Sequence, residues 1–208
     1  MDGLKKFIYK INQTVLTWFG NVKIFRFPFF FVYDPDIFAV DGEHILKVLE
    51  VAKPGDVFLR GYRHYLDGYF VPGDYSHGGL YIGDGKVIHA TSIGVNEVNA
   101  VDFMECDRIL VMRPSGGQEQ AIEKAKKFLE DKVPYDFGFK RGISSLYCFE
   151  LAAEVYPDLD IKRKQASILG GLVKKKEPVF LYTSFTESKD FTRILEFNPK
   201  RDVDFLKS

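Results

Sequence analysis

The chain has 208 residues, of which 46% are hydrophobic and 28% charged, a balance typical of a folded globular protein and not of a disordered one. Lysine plus arginine equals aspartate plus glutamate at 29 each, so the formal net charge is zero. The chain therefore lacks the broad basic field that attracts nucleic acid, and we expect no nucleic-acid partner.

The length predicts one domain with an extension, or two small domains. No run of about 18 apolar residues is present, so we expect no transmembrane helix. The first apolar run is interrupted by Lys10, Asn12 and Gln13, which makes it a poor signal peptide. Two cysteines are too few for a disulfide scaffold and indicate free thiols in a reducing compartment. We therefore expect a cytoplasmic protein.

The N-terminal region is rich in apolar and aromatic residues. Residues 3–19 have apolar positions at helical spacing and predict an amphipathic helix that ends at Gly20. We expect it to pack on the domain, with contact to a membrane surface or a partner as the alternative. The aromatic segment Phe25–Tyr33 is expected to be buried against the core, or else to form one wall of an apolar groove. Residues 1–50 are thus predicted to be an extension packed on a domain at 51–208.

Glycine and proline residues divide the rest of the chain into short predicted helices and strands. The pattern predicts helices over 41–51 and 120–133, and strands over 57–59, 94–98, 109–112 and 191–197. A hairpin is predicted from two apolar runs, 80–82 and 87–90, on either side of Gly83-Asp84-Gly85. A last helix is predicted to begin at a Ser144 or Ser145 cap and to run to about Tyr156.

A long loop at 61–75 precedes the hairpin. Loops of this length inside compact domains are often functional. Its tyrosines are candidates for a substrate wall: Tyr62, Tyr65, Tyr69 and Tyr75.

Two histidines and one cysteine form the candidate catalytic set. His77 and His89 stand twelve residues apart. His77 precedes the first apolar run of the hairpin, and His89 lies in the second run. Cys148 follows in the predicted C-terminal helix. A thiol nucleophile needs a base and a group that orients this base, and two imidazoles supply both. Adjacent strands bring the imidazoles near each other. Because a turn lies between them, the sequence does not determine whether both imidazoles point to the same side of the sheet.

The position of Cys148 in the first turn of its helix predicts a lowered thiol pKa, because the unpaired amides and the helix dipole favour an anion there. Its own amide is a candidate oxyanion donor. Free cysteines are more often buried hydrophobes, and this structural role is expected for Cys106, which has no histidine or helix cap nearby.

Six short motifs occur in an order that resembles the circularly permuted NlpC-type cysteine hydrolases, in particular the YiiX/YebB-like group. The histidine precedes the cysteine, whereas ordinary NlpC enzymes have the cysteine first. The motifs are Pro54-Gly55-Asp56-Val57, Ser76-His77-Gly78-Gly79-Leu80-Tyr81-Ile82-Gly83, Val87-Ile88-His89-Ala90, Val111-Met112-Arg113-Pro114, Pro134-Tyr135-Asp136 and Tyr147-Cys148-Phe149-Glu150-Leu151.

The resemblance implies an α+β fold of the permuted papain-like type, with an antiparallel sheet packed against the nucleophile helix. It implies Cys148 as nucleophile, His77 as base and His89 as the third member. A histidine at this third position resembles the related lecithin:retinol acyltransferase group, whereas many YiiX-like proteins have glutamate there. Phe149 is a second departure, because the group often has serine at that position.

The implied function is a cysteine hydrolase of amide bonds in a peptide or isopeptide of the peptidoglycan type, without a cofactor or a metal. The alternatives are a lipid acyltransferase or thiol lipase with the same three residues, an inactive binding module, and a zinc site built from them. Arg113 is a candidate partner for Asp136 or Glu150, and Asp56 is expected to cap or pair locally. The candidate substrate-binding residues are Tyr147, Tyr75, Tyr62 and Glu150.

Overall fold

The computed structural model describes residues 3–20, 23–25, 30–32, 38–62, 73–139, 142–168, 173–174 and 177–199. Its helices are α1 (Gly3–Gly20), α2 (Gly42–Val51), α3 (Ala100–Phe103), α4 (Gln118–Glu130), α5 (Cys148–Glu154) and α6 (Tyr182–Thr186). Its strands are β1 (Lys23–Phe25), β2 (Phe30–Val32), β3 (Val57–Gly61), β4 (His77–Gly83), β5 (Lys86–Thr91), β6 (Gly94–Asn99), β7 (Arg108–Pro114), β8 (Ser167–Ile168), β9 (Val173–Lys174) and β10 (Phe191–Phe197).

Six strands form one antiparallel sheet in the order β10-β7-β3-β4-β5-β6. Side chains alternate between the two faces of a strand, and this alternation divides the core in two. Leu59 and Leu110 belong to the cluster that includes α4 and α5, whereas Phe58 and Val111 belong to the cluster that includes α2 and α3. The sheet is therefore a layer between two sets of helices, which fixes the position of the β4–β5 hairpin from both sides.

The predicted hairpin is confirmed. β4 and β5 are joined through Asp84 and Gly85, and both residues have positive φ, at 50° and 67°. Two consecutive residues with positive φ are the requirement of a tight hairpin turn whose twist matches that of the strands. The Asp-Gly pair meets this requirement, because glycine has no Cβ and aspartate tolerates the left-handed region.

The other predicted elements are confirmed except for the start of the C-terminal helix. α5 begins at Cys148 after Tyr147, which has extended backbone and no side-chain capping bond. The prediction of a cap at Ser144 or Ser145 is wrong. Leu146 pairs with Tyr135 in an isolated bridge, and this extended pairing keeps the chain out of the helix until Tyr147.

The N-terminal helix agrees with its predicted bounds. Among the residues that the structure describes, no helix is long and apolar enough to cross a membrane. The aromatic segment is described only as the paired backbones of β1 and β2. Its side chains, and the loop tyrosines Tyr65 and Tyr69, lie outside the described residues.

Candidate active site

His77 and His89 form a hydrogen-bonded pair on neighbouring strands. Gly79 of β4 pairs directly with His89 of β5, and His77 stands two residues before Gly79. Residues two apart on a strand share a face, so the two imidazoles lie diagonally on one side of the sheet. Nε2 of His77 is 2.9 Å from Nδ1 of His89. The structure thus brings together the two histidines that the sequence singled out and places both imidazoles on the same side of the sheet.

Cys148 is the first residue of α5, and its thiol lies against the strand that carries His77. The Sγ atom is 4.0 Å from the carbonyl oxygen of Ser76, and the amide of Gly78 donates to the thiol. The residues on both sides of His77 therefore contact the sulfur. Among the described residues no hydrogen bond joins the thiol to an imidazole. Catalytic contacts of this kind are often long before substrate binds.

Burial determines the charge states of these groups. It raises the pKa of the Cys148 thiol to about 11, although the amides of Gly78, Phe149 and Cys148 itself oppose the shift. Burial, helped by the Arg60 charge, holds the pKa of His77 well below its usual value and lowers that of His89 to about 4. Each uncharged form is favoured because a low-dielectric site disfavours charge. The lowered thiol pKa expected from the helix start is therefore not found, since desolvation outweighs the amides.

Arg60 and Phe103 cover the imidazole pair. The ring of Phe103 lies 5.7 Å from that of His77 and 5.5 Å from that of His89. Arg60 pairs with His77 across β3 and β4, its guanidinium carbon is 4.6 Å from the Phe103 ring centroid, and its Nη1 donates to the Phe103 carbonyl at 2.9 Å. A cation fixed beside two imidazoles disfavours their protonation. Arg60 had no signal in the sequence as a site residue, because only the strand register brings it opposite His77.

Three of the predicted substrate-binding residues are tyrosines with defined packing. Tyr75 is buried and donates from its hydroxyl to Oε1 of Glu196 at 2.7 Å. Tyr147 is buried, and its hydroxyl accepts from the amide of Phe180 at 2.6 Å. Tyr62 is partly buried, with its ring centroid 5.4 Å from the guanidinium carbon of Arg60. Contact between these residues and a substrate stays a prediction.

Glu150, the fourth predicted substrate-binding residue, is fully buried in the first turn of α5. Its Oε1 accepts from Nη2 of Arg163 at 2.9 Å, and burial raises its pKa to about 7 despite that cation. The suggested pairing of Arg113 with Asp136 or Glu150 is wrong. Arg113 instead donates to both carboxylate oxygens of Asp56, at 2.9 and 2.7 Å. Asp56 also accepts from the amide of Lys53, which agrees with its expected local pairing.

Asn96 is a second site residue that sequence reasoning missed. It pairs with His89 across β5 and β6, and its Oδ1 is 2.8 Å from Nε2 of His89. A signal for it existed, because Gly94 to Val98 was predicted as a strand following the hairpin. A tight turn between β5 and β6 places a polar side chain of β6 opposite His89. His77, His89 and Asn96 therefore form a hydrogen-bonded series, and the Cys148 thiol contacts the backbone on both sides of His77.

Comparison with known proteins gives three similarities. A family model described as permuted papain-like amidase enzyme, YaeF/YiiX, C92 family, matches residues 51–195. Protein OPG091 of Variola virus is 26% identical over 166 residues, which are 75% of this chain and 93% of the viral protein. The crystal structure of metalloprotein YiiX from Escherichia coli O157:H7 has a TM-score of 0.57 and 19% identity, and covers 72% of this chain and 99% of YiiX.

The structural neighbour YiiX is described as a metalloprotein, and the donor atoms of this site decide whether a metal ion fits here. Within the described ranges, no group of three or more His, Cys, Asp or Glu side chains is arranged to hold one. Nε2 of His77 and both ring nitrogens of His89 are engaged in the hydrogen-bonded series. These nitrogens are therefore not directed at a common point, and the zinc-site alternative does not fit. Cys106 is buried elsewhere and donates to the Arg108 carbonyl, as expected for a structural thiol.

Proposed function

Because the chain belongs to the permuted papain-like amidase family represented by YaeF and YiiX, we propose that it is a cysteine hydrolase that cleaves amide bonds through a thioester on Cys148. One observation carries the proposal: the Cys148 thiol contacts the backbone on both sides of His77, whose imidazole is bonded to His89. This arrangement supplies a nucleophile, a base and a group that orients the base.

The chemistry begins from an uncharged pair. The raised pKa of the Cys148 thiol and the lowered pKa of His77 both favour thiol and neutral imidazole before substrate binds. As Sγ attacks the carbonyl carbon, its proton passes to Nδ1 of His77, the nitrogen not bonded to His89. His77 then gives this proton to the departing amine, which leaves the acyl group on sulfur. Water, deprotonated by the same imidazole, releases the acid and restores the thiol.

The oxyanion formed in each step needs hydrogen-bond donors. The amide of Cys148 is available at the start of α5, where the first amides of a helix have no partner within the helix. A preorganised donor at this position stabilises the developing charge. The substrate we propose is a peptide or isopeptide of the peptidoglycan type.

The test is mass spectrometry of the intact protein after incubation with peptide substrates. We expect an acyl adduct on Cys148 and substrate turnover, both absent from Cys148→Ser and retained by the matched variant Cys106→Ser. Full turnover by Cys148→Ser would overturn the nucleophile assignment. Absence of any adduct and turnover across peptide and lipid substrates would instead favour a binding module.

A second candidate function is lipid acyl transfer or thiol lipase activity by the same residues. The observation in its favour is the exposure of large apolar side chains on α1, which offers a route to lipid. The same experiment separates the two functions, since a fatty acyl mass on Cys148 after incubation with phospholipid would indicate this chemistry and a peptidyl mass would indicate the amidase.

A further inference from the structure

Asn96 is held by bonds that fix which end of its amide faces His89. Its Nδ2 lies 2.8 Å from the Gly94 carbonyl oxygen and 2.8 Å from Oγ1 of Thr91. A carbonyl oxygen only accepts hydrogen bonds, so the nitrogen end of the amide must point toward Gly94. The oxygen end of Asn96 is therefore the end that meets Nε2 of His89. The orientation of the amide is thus determined by the Gly94 carbonyl, which requires a donor.

The amide orientation sets the proton on each imidazole in turn. The oxygen of Asn96 accepts, so Nε2 of His89 carries a proton and its Nδ1, in the neutral ring, carries a lone pair. That lone pair accepts from Nε2 of His77, so Nε2 of His77 carries the proton of that ring. Nδ1 of His77 is then the unprotonated nitrogen. We propose that Asn96 is a positioning residue that fixes this tautomer of His77 through His89.

The catalytic consequence rests on the proposed function. A neutral His77 with its proton on Nδ1 has no lone pair on that nitrogen and is unable to take the thiol proton there. With the proton on Nε2, Nδ1 accepts the proton from Sγ, and the resulting imidazolium still donates to His89, which still donates to Asn96. One proton moves and every hydrogen bond of the series is kept, so no rearrangement accompanies the step.

The tautomers are measurable without substrate by long-range ¹H–¹⁵N NMR of the full chain. We expect both His77 and His89 to carry their proton on Nε2 in the wild type. In Asn96→Ala, His89 and His77 should become mixtures of tautomers. The matched control is Thr91→Val, which removes one bond from Asn96 but leaves the Gly94 carbonyl, and its tautomers should equal those of the wild type.

A wild-type His77 protonated on Nδ1, or unchanged tautomers in folded Asn96→Ala, would overturn the proposal. Turnover adds a second readout. We expect kcat to fall at least about tenfold in Asn96→Ala with KM little changed. If Cys148→Ser keeps full turnover, the proposed function is wrong. The role of Asn96 is tested separately, because the NMR measurement of the tautomers does not depend on turnover.

A separate observation concerns α1, which is attached to the domain by one face. The hydroxyl of Tyr9 donates to the Ser92 carbonyl at 3.2 Å and accepts from the Tyr135 amide at 3.3 Å. The Tyr9 ring centroid is 5.1 Å from that of Phe137. These contacts hold the helix against the domain and determine which residues of α1 face away.

The side of α1 away from Tyr9 is apolar and exposed. Phe7, Ile11 and Val15 are spaced four residues apart and so share one face, and Ile8 lies beside them. They are exposed to 63%, 46%, 48% and 49% respectively. Large apolar side chains exposed together mark an interaction surface. The set of Phe7, Ile8, Ile11 and Val15 is called the α1 stripe below.

The charge of the helix indicates what covers the α1 stripe. Between residues 3 and 20 the sequence has Lys5, Lys6 and Lys10 and no aspartate or glutamate. A helix with an apolar face and only positive charges complements an anionic lipid surface, where it lies in the interface plane without crossing the bilayer. We infer that the α1 stripe binds the surface of an anionic lipid membrane.

Cosedimentation of the full chain with vesicles tests this inference. We expect binding to phosphatidylcholine vesicles that contain phosphatidylserine, weakening as salt is added because the lysine contribution is screened. Phe7→Ser/Ile11→Ser should bind at least about tenfold more weakly. Leu46→Ser, at a 70% exposed apolar position on α2, is the matched control and should bind as the wild type does.

Absence of binding to the vesicles would overturn the inference. So would self-association of the wild type in solution that Phe7→Ser/Ile11→Ser abolishes, because the stripe would then be a protein interface. Equal binding to vesicles with and without phosphatidylserine would contradict the role assigned to the lysines.

Discussion

Gly79 lies directly opposite His89 in the antiparallel pairing of β4 and β5, and its missing side chain leaves the space in which the two imidazoles meet. A Cβ at this position would stand 2.7 Å from Cγ1 of Val87, 3.0 Å from Cε2 of Phe103 and 3.2 Å from Cβ of His89. The residue between the histidines is therefore glycine for a steric reason.

Gly79→Ala is expected to lower the free energy of unfolding by about 1–3 kcal/mol, the usual cost of overpacking a close-packed core, and to reduce turnover by displacing His89. Urea denaturation and the substrate assay measure the two effects. Gly116→Ala is the matched control, because a Cβ there meets nothing within 4 Å. Equal stability of the two variants would contradict the packing described around Gly79.

The raised thiol pKa predicts slow alkylation of Cys148 at neutral pH. Burial favours the protonated thiol, and only the thiolate reacts, so the rate should rise with pH above the ordinary thiol value of about 8.5 toward an inflection near 11. Iodoacetamide labelling followed by mass spectrometry, performed in Cys106→Ser, measures Cys148 alone. A rate that reaches its plateau below pH 8 would instead indicate a preformed thiolate–imidazolium pair.

Acid should remove the stability that two imidazoles contribute by being buried without charge, whereas Glu150, whose pKa is raised to about 7, changes stability in the opposite direction as the pH falls. The folded-state pKa of His89, about 4, lies below its unfolded value near 6.5, so the unfolded state binds more protons as the pH falls. The stability that this histidine contributes is present above pH 6.5 and is lost as the pH falls through about 4. The loss is on the order of 3 kcal/mol for His89, and His77 shifts in the same direction.

Urea denaturation at intervals between pH 7.5 and pH 4 measures this dependence. In His89→Gln the decline should be smaller, since one buried titrating group is removed. A decline of the same size in the variant and in the wild type would show that other groups cause the acid sensitivity.

Arg163 should be essential to the fold because it neutralises Glu150, which has no exposed surface. Arg163→Met leaves a buried carboxylate without its cation and is expected to cost about 3–5 kcal/mol at pH 8. Glu150→Gln/Arg163→Met should recover most of this loss, because no uncompensated charge remains. Urea denaturation of the three proteins gives both values, and a single-variant loss below about 1 kcal/mol would contradict the importance of the pair.

Local sequence pattern was sufficient for the elements that carry the site. Two apolar runs on either side of Gly83-Asp84-Gly85 predict the hairpin of His77 and His89, and helical spacing predicts α1, α2 and α4. The motif order predicted the permuted papain-like fold, which the family match and the similarity to YiiX confirm. The hairpin and the helices depend on residues close together in the chain, where steric and hydrogen-bonding preferences act directly.

Tertiary structure decided the features that join residues distant in sequence. The Cys148 thiol contacts Ser76 from 72 residues away, and Arg113 pairs with Asp56 from 57 residues away. The direction of the Cys148 pKa shift was also decided by the tertiary structure. The helix start by itself favours a thiolate, but the desolvation that opposes it comes from everything packed around the sulfur, and only the folded chain determines how completely water is excluded there.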